Sequence, residues 1–289
     1  MPPQFLVVGH VVQDLISDED PEAWRLGGAA SYASMLAHRL GLHTAVLTAA
    51  APDLRLEELL PGIECRVVPS QRTTRIRNVY GGERRVQYLP QRATPLTADD
   101  VPEDWRGAPI VLLGPVAGEI DDALALCFPR SLVGVGAQGW LREIGPDERV
   151  TPVPPAQWRA EPILERAEAL FLSDEDVLPG EAPAALKRWS ELVDIVGFTR
   201  GDRGADLGYR GEWRHVDAFP ASSVDLTGAG DVFAAAFLIR FREAGDVWEA
   251  GRFANAAAAL SVEGVGIAGV PDRAGVEALL RRHPAIMAR

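Results

Sequence analysis

The segment from Ser223 to Phe233, with the sequence SVDLTGAGDVF, places small residues and an aspartate at the start of an apolar helix. The residues at 228–230 are Gly-Ala-Gly, so their N–H groups can approach an anion closely, and the helix that follows directs the positive end of its dipole to the same place. Asp231 is a poor anion ligand, because it is itself negative, but it can take a proton from a hydroxyl that attacks a bound phosphoryl group. The segment therefore predicts a phosphoryl-transfer site, and the structural alternative is a loop that leads into a capped helix.

The composition sets the class of protein. The chain has 289 residues, of which 47% are hydrophobic, which is enough for one large α/β domain or two smaller ones. The net charge of -12 argues against nucleic acid or an anionic membrane as the main partner. There is neither an apolar run of membrane-spanning length nor a basic, cleavable leader before the apolar residues 5–8. Cys65 and Cys127 lie far apart without C-x-x-C spacing, which favours a reducing cytoplasm over disulfides or structural zinc.

Several nucleotide and cofactor chemistries are excluded by single residues. Lys187 is the only lysine beside 28 arginines, and it is not in a G-x-x-x-x-G-K-[ST] context, so a P-loop is excluded and a Schiff-base lysine is disfavoured. Residues 134–139 and 264–269 both match G-x-G-x-x-G, but a proline soon follows each match. Neither segment can therefore open the long helix that a nicotinamide or flavin site requires.

The order of apolar segments predicts an α/β fold with a mainly parallel sheet flanked by helices. The predicted buried strands are 5–8, 45–47, 110–113, 132–135, 169–172 and 194–198. The predicted helices are 29–40, which ends at Gly41, and 120–128, 183–192, 229–242, 248–262 and 273–282.

One region interrupts this alternation. Between residues 63 and 92 the sequence predicts strands at 65–68, 73–80 and 84–89, with a tight hairpin turn at Gly81-Gly82. Their position after the second α/β unit predicts a small β-sheet lid over the main sheet, and the alternative is a peripheral sheet with no catalytic part. We expect residues 1–289 to form a single domain that carries this lid.

With these segments in view, the chain resembles the PfkB family of carbohydrate kinases, which have the ribokinase-like fold. The likeness is strongest at residues 225–231, DLTGAGD, which is similar to the family signature D-[TP]-x-G-A-G-D except for Leu226. The resemblance implies that Asp231 is the catalytic base and that Gly228, Ala229 and Gly230 form the anion hole. Some relatives hold a monovalent cation at the positions of Asp225 and Thr227.

The substrate side also resembles this family. Residues 27–33, GGAASYA, are similar to the G-G-x-x-x-N-x-A motif, in which Gly27 and Gly28 would contact substrate hydroxyls and Tyr32 replaces the usual asparagine. Asp14 matches an aspartate that accepts two substrate hydroxyls in the family, and its alternative is a surface carboxylate. Gln138 would bind a hydroxyl and Arg142 would neutralise the transferring phosphate, although a buried ion pair equally explains this arginine. Together with Tyr32, this element resembles the inositol-kinase-like branch.

The donor side is similar to the family's ATP site. Residues 199–204, TRGDRG, resemble a T-x-G-x-x-G turn, which implies that Thr199, Arg200, Gly201 and Gly204 line the ATP phosphates and ribose. Asn255 resembles the residue beside the adenine. The family's N-x-x-E element appears as Ser173-Asp174-Glu175-Asp176, in which Asp176 would hold Mg²⁺ through water.

The sequence therefore predicts a cytoplasmic kinase that uses ATP and Mg²⁺ to phosphorylate a hydroxyl of a small sugar or cyclic polyol such as inositol, as a monomer or a lid-mediated homodimer. A nucleoside kinase of the same fold is the first alternative, favoured if Tyr32 and Tyr80 stack a base. A non-catalytic nucleotide-binding regulatory protein is the second, and the presence of Asp231 argues against it.

Overall fold

The computed structural model describes residues 1–17, 20, 22–80 and 85–289. The turn predicted at Gly81-Gly82 lies outside these residues, as does the side chain of Tyr80, so the proposed stacking of a base on Tyr80 is not addressed by the structure.

Fifteen strands are present in this part of the chain: β1 (Phe5–Val8), β2 (Val12–Leu15), β3 (Trp24–Gly27), β4 (Thr44–Ala50), β5 (Glu64–Pro69), β6 (Thr74–Tyr80), β7 (Arg85–Gln91), β8 (Ile110–Leu113), β9 (Leu132–Gly136), β10 (Arg142–Ile144), β11 (Val150–Pro152), β12 (Ala169–Ser173), β13 (Ile195–Thr199), β14 (Ala205–Tyr209) and β15 (Glu212–Val216). The α-helices are α1 (Ala29–Arg39), α2 (Leu56–Leu59), α3 (Glu161–Leu164), α4 (Ala182–Trp189), α5 (Ala229–Ala244), α6 (Val247–Ser261) and α7 (Arg273–Arg282).

A large central sheet has the strand order β15-β14-β13-β12-β9-β8-β1-β4-β5 over the described residues. Seven neighbouring strands of this sheet run parallel, namely β13, β12, β9, β8, β1, β4 and β5. β14 and β15 extend the sheet as an antiparallel ribbon. Every residue of β1 and β4 is buried, as expected for parallel strands with both faces covered. The predicted α/β class and mainly parallel sheet are therefore confirmed.

Helices cover the two faces of this sheet and form two cores. On one face, α1, α5, α6 and α7 bury Leu36, Phe233 and Phe237, with Phe237 edge-on to Phe171 of β12. On the other face, aromatic residues such as Phe128 and Trp189 fill the space between the sheet and the short helices. The helix predicted at 120–128 is a 3-10 helix over Asp122–Cys127. In the described residues, no helix is long and apolar enough to cross a membrane.

A second, smaller sheet in the described chain has the order β3-β2-β6-β7 and forms the lid. Its composition differs from the prediction. The first predicted lid strand is β5, which pairs in parallel with β4 at the edge of the central sheet. The hairpin of β2 and β3 takes its place in the lid, because β2 pairs in parallel with β6. Four connections therefore join the two sheets, at residues 9–11, at 28–43 through α1, at 70–73 and at 92–109.

Candidate active site

The predicted site residues gather at the carboxyl ends of the parallel strands. Loops that follow β1, β8, β9, β12 and β13 meet there, and α5 begins on the same side. In open α/β sheets this edge is where ligands bind, because loops from several strands converge and the strands themselves fix their positions.

The proposed anion hole begins at Gly228, whose φ of 79° lies in the left-handed region. A Cβ atom at this position would lie 2.2–2.4 Å from Cγ, Cδ1 and Cδ2 of Tyr32, so the tyrosine ring packs face-on against the glycine. Gly228 is therefore required by both its backbone angle and this contact. A Cβ on Gly230 would meet nothing within 4 Å, so the backbone of that residue is open to a ligand. The first N–H groups of an α-helix have no partner within the helix, and the N–H of Ala229 donates to the carbonyl oxygen of Leu226 at 3.4 Å.

Asp231 is the third residue of α5 and lies among other charged side chains. Burial raises its pKa to about 7, the negative charges of Asp176 and Asp14 act in the same direction, and the positive charge of Arg142 opposes them. Three side chains from other elements therefore act on Asp231 of α5: Asp14 from β2, Arg142 from the start of β10 and Asp176 from the turn after β12. A carboxylate with a pKa near neutrality is suited to general base catalysis.

The substrate residues predicted from the sequence also come together. Asp14 and Tyr32 line a cavity of about 150 Å³ with Asn78, Asp225 and Thr227. Gly27 permits this arrangement, because a Cβ there would lie 2.0 Å from Oδ2 of Asp14.

The structure also explains why Gly28 and Tyr32 occupy their positions. Gly28 has a φ of 84°, and a Cβ would lie 2.6 Å from the carbonyl oxygen of His10, so it holds the start of α1 against the strand crossing. Tyr32 is buried, and burial is the main reason that the pKa of its hydroxyl is raised. The negative charges of Asp225, Asp14 and Asp231 raise this pKa further. The tyrosine is therefore neutral throughout the physiological range.

Asp225 is paired with an arginine that the sequence analysis did not identify. Nη1 of Arg25, in lid strand β3, lies 3.1 Å from Oδ2 of Asp225. The same carboxylate accepts hydrogen bonds from the N–H groups of Thr227 at 3.0 Å and Gly266 at 3.1 Å. Burial alone would raise the pKa of Asp225, but the bonds from Thr227 and Gly266 and the charge of Arg25 outweigh burial and lower it. The predicted site for a monovalent cation therefore already contains a guanidinium group.

Asp176 and Gln138 are adjacent on the donor side. Oδ2 of Asp176 accepts hydrogen bonds from the N–H and the hydroxyl of Ser173, at 2.7 and 2.8 Å, and Nε2 of Gln138 lies 3.4 Å from Oδ1. The structure contains no group of three His, Cys, Asp or Glu side chains that could hold a metal in the described ranges. Mg²⁺ needs no such cage, because it keeps several waters and binds through one or two carboxylates and substrate phosphates. The carboxylate and amide oxygens of this pair fit that role.

The T-x-G-x-x-G turn has the expected backbone. Gly201 and Gly204 have φ values of 57° and 89°, and a Cβ on Gly204 would lie 2.0 Å from the carbonyl oxygen of Val216. Thr199 ends β13 at the carboxyl edge of the sheet. The side chain of Arg200 pairs with Asp206 at 2.5 Å and lies over the ring of Phe198. Its guanidinium group is therefore engaged by protein, so the backbone of the turn is better placed than Arg200 to meet a donor.

Asn255 is also engaged by protein. Its Nδ2 donates to the carbonyl oxygens of Val216 at 3.2 Å and Asp217 at 2.8 Å, which ties α6 to the end of β15. The contact of Asn255 with an adenine remains a prediction. An adenine would have to meet either the amide oxygen of Asn255 or the backbone at residues 216–217, which Asn255 holds in place.

The comparisons with known proteins agree with the motifs. Residues 163–273 match the family model described as pfkB family carbohydrate kinase. The predicted family is therefore confirmed for a segment that includes the proposed anion hole and Asp231. The chain is 43% identical to the ribokinase of Bacillus subtilis (strain 168) over 84 residues, which span 29% of this chain and 29% of that protein. It is 26% identical to the inositol 3-kinase of Arabidopsis thaliana over 276 residues, 91% of this chain and 75% of that protein.

Solved structures show that this chain has the ribokinase-like fold. A pyrophosphate-dependent kinase in the ribokinase family, complexed with a pyrophosphate analogue and myo-inositol, superposes with a TM-score of 0.80 at 23% identity, covering 95% of this chain and 99% of that one. The Arabidopsis thaliana ribokinase complexed with ribose and ATP gives a TM-score of 0.70 at 23% identity, covering 97% and 99%. The predicted family, fold and enzyme class are thus confirmed, whereas the roles of individual residues stay predictions.

Proposed function

We propose that this chain transfers the γ-phosphoryl group of ATP to a hydroxyl of a small, uncharged polyhydroxylated acceptor, with Asp231 as the general base. The observation that carries this proposal is the placement of Asp231, a carboxylate with a pKa of about 7, directly after Gly228, Ala229 and Gly230 at the start of α5. Phosphoryl transfer to an alcohol requires a base that takes the hydroxyl proton and N–H groups that stabilise the charge on the phosphoryl oxygens. A carboxylate next to an anion-binding backbone supplies both.

The steps follow from the positions of the side chains. Asp231 takes the proton from the acceptor hydroxyl as its oxygen bonds to the γ-phosphorus, and the bond from that phosphorus to the bridging oxygen of ADP breaks. The N–H groups of residues 228–230 donate to the oxygens on which negative charge spreads. Arg142, whose positive charge acts on Asp231, adds to the neutralisation.

Asp176, with Gln138 beside it, would hold Mg²⁺ through water. When bound, Mg²⁺ supplies positive charge that offsets the charge of the donor phosphates. Asp176 is prepared for this role because the N–H and hydroxyl of Ser173 fix Oδ2 and leave Oδ1 toward Gln138.

The cavity beside Tyr32 favours an acceptor that is neutral and rich in hydroxyls. Asp14, Arg25 and Asp225 line it, and Arg25 pairs with Asp225. The charge of Asp14 is then left to repel a phosphorylated or carboxylated acceptor. Asp14 can accept hydrogen bonds from two hydroxyls through its two oxygens. An inositol or a free sugar fits this chemistry, and inositol is favoured by the likeness to the inositol 3-kinase.

The donor has one specific alternative. Two of the residues predicted to line the ATP site are engaged by protein groups, Arg200 through its guanidinium and Asn255 through its amide nitrogen. A pyrophosphate-dependent kinase is among the structures with this fold. Pyrophosphate is therefore the second candidate for the donor. The proposed anion hole and base would act in the same way with either donor.

The test is phosphoryl transfer with radiolabelled ATP or pyrophosphate, with Mg²⁺, to myo-inositol, ribose, fructose and adenosine. We expect labelled product with myo-inositol or a sugar and none with Asp231→Asn. Asp272→Asn is the matched control, because Asp272 also stands at the start of a helix and accepts a hydrogen bond from Gly275. Product with adenosine alone would favour the nucleoside kinase. Absence of product from every pair, with ATP still bound, would favour the non-catalytic protein.

A further inference from the structure

Glu119 is a fully buried carboxylate that the transfer steps do not use. It lies in the loop after β8 and has no exposed surface. Burying a carboxylate is costly unless hydrogen bonds replace the lost water, so the protein must gain something specific from a glutamate at this position.

The carboxylate is satisfied by backbone N–H groups from two segments. Oε1 accepts from His10 at 2.9 Å and Val116 at 3.0 Å, and Oε2 accepts from Val116 at 3.0 Å and Ala117 at 2.7 Å. His10 belongs to the crossing that leads from β1 into the lid strand that carries Asp14. Glu119 therefore joins the loop after β8 to the base of the lid.

One of these bonds orients a group that reaches the active site. The peptide unit between Val116 and Ala117 donates its N–H to Glu119, and its C=O accepts a hydrogen bond from Nη1 of Arg142 at 3.2 Å. Because a trans peptide is planar, its N–H and C=O point in opposite directions. Fixing the N–H on Glu119 therefore directs the carbonyl oxygen at Arg142, and the bond to a carboxylate also makes that carbonyl a stronger acceptor.

We propose that Glu119 is a positioning residue, which holds Arg142 against Asp231 and the transferring phosphoryl group through the peptide between Val116 and Ala117. This inference rests on the proposed function, since it assigns Arg142 to phosphoryl transfer. Glu119 itself touches neither substrate nor donor.

The sign of one effect separates positioning from simple electrostatics. Glu119→Gln removes a negative charge, which by itself would lower the pKa of Asp231 through space. Loss of the positive charge of Arg142 from its place would instead raise that pKa, because Arg142 lowers it in the intact site. An upward shift in Glu119→Gln is therefore expected only if Arg142 has moved.

The experiment is a double-mutant cycle of Glu119→Gln and Arg142→Gln, read by kcat, by the KM of the acceptor and by the pKa of Asp231 from carboxyl carbon NMR. We expect each single variant to lower kcat about 10-fold or more with less change in KM, and to raise the pKa of Asp231. We expect the double variant to match Arg142→Gln alone. Glu168→Gln is the matched control, because Oε2 of Glu168 accepts from the N–H of Val133 at the opposite end of the sheet.

The outcomes distinguish this inference from the proposed function. Additive losses, or an unchanged or lowered pKa of Asp231 in Glu119→Gln while Arg142→Gln raises it, would overturn the positioning role. The NMR readout needs no turnover. If the pKa shifts follow the cycle and no donor and acceptor pair gives product, the proposed reaction fails and the coupling of Glu119 to Arg142 stands.

Discussion

The ring of Tyr32 packs face-on against Gly228, the first residue of the proposed anion hole. Tyr32 belongs to α1 and Gly228 precedes α5, so the contact fixes the start of the catalytic helix against the helix that borders the substrate cavity. The tyrosine stands where the family motif usually has an asparagine, and its ring packs against the proposed anion hole. This relationship explains why a tyrosine and a glycine far apart in sequence occur together.

The first prediction concerns this contact. We expect Gly228→Ala to lower kcat about 100-fold or more, because the new methyl group would overlap the Tyr32 ring and displace the N–H groups that stabilise the transferring phosphate. The measurement is steady-state turnover with the best acceptor. Gly245→Ala is the matched control, since Gly245 also has a positive φ, of 68°, but a Cβ there meets nothing within 4 Å. The control should lose about 1 kcal/mol of stability and little activity. Equal losses of activity in both variants would contradict the steric explanation.

The second prediction is a pH dependence. Asp231 must be ionised to accept a proton, and its pKa is raised to about 7, so kcat/KM should rise with pH and level off above about pH 8. A profile of kcat/KM from pH 5 to 9 tests this. A limb near pH 4 would mean that Asp231 is not desolvated in the working enzyme.

The third prediction is that the raised pKa of Asp231 makes the free energy of unfolding depend on pH. Between the ordinary pKa of an aspartate and about 7, the folded protein binds a proton at Asp231 that the unfolded chain does not. Stability therefore falls as pH rises through this window. Asp231→Asn lacks this loss, so its melting temperature relative to wild type should be higher at pH 8 than at pH 4. The difference corresponds to about 4 kcal/mol at most. A constant difference across pH would contradict the raised pKa.

The fourth prediction concerns Arg25. Its guanidinium supplies the positive charge that Asp225 requires, so we expect turnover to be the same in potassium, sodium or tetramethylammonium chloride. Arg25→Gln should lower turnover several-fold and make it depend on potassium, because the carboxylate would then lack a cation.

Two results would oppose the role of Arg25. Strong potassium activation of the wild-type enzyme would mean that the guanidinium does not replace the cation. Arg210→Gln serves as a control for loss of an arginine, since Arg210 pairs with Asp194 at the distant hairpin. It should leave turnover and its dependence on salt unchanged.

The strands and the catalytic segment could be predicted from the sequence because they follow local rules. Buried parallel strands appear as short apolar runs, and the helix after Gly228 begins within the run of small residues. The lid was harder. β5 is as short and apolar as a lid strand, and only its pairing with β4 assigns it to the central sheet. Pairing between distant segments is not encoded in either segment alone.

The charged partners of the site could not be predicted for the same reason. Arg25 and Asp225 are separated by 200 positions, and Glu119 and His10 by 109. No local pattern distinguishes Glu119 from a surface glutamate, because its burial depends on the loop after β8 folding over the lid crossing. Asp231 and the glycines before it could be proposed from the sequence because a single continuous segment holds both the proposed base and the proposed anion hole.

The most direct measurement is single-turnover phosphoryl transfer by wild type and by Asp231→Asn, with the donor and acceptor that the panel identifies, alongside calorimetric binding of both ligands. We expect Asp231→Asn to bind both ligands within a few-fold of wild type and to transfer at least about 1,000-fold more slowly, because only the proton acceptor is lost. Transfer by Asp231→Asn at a rate near that of wild type would contradict the role of Asp231 as the general base.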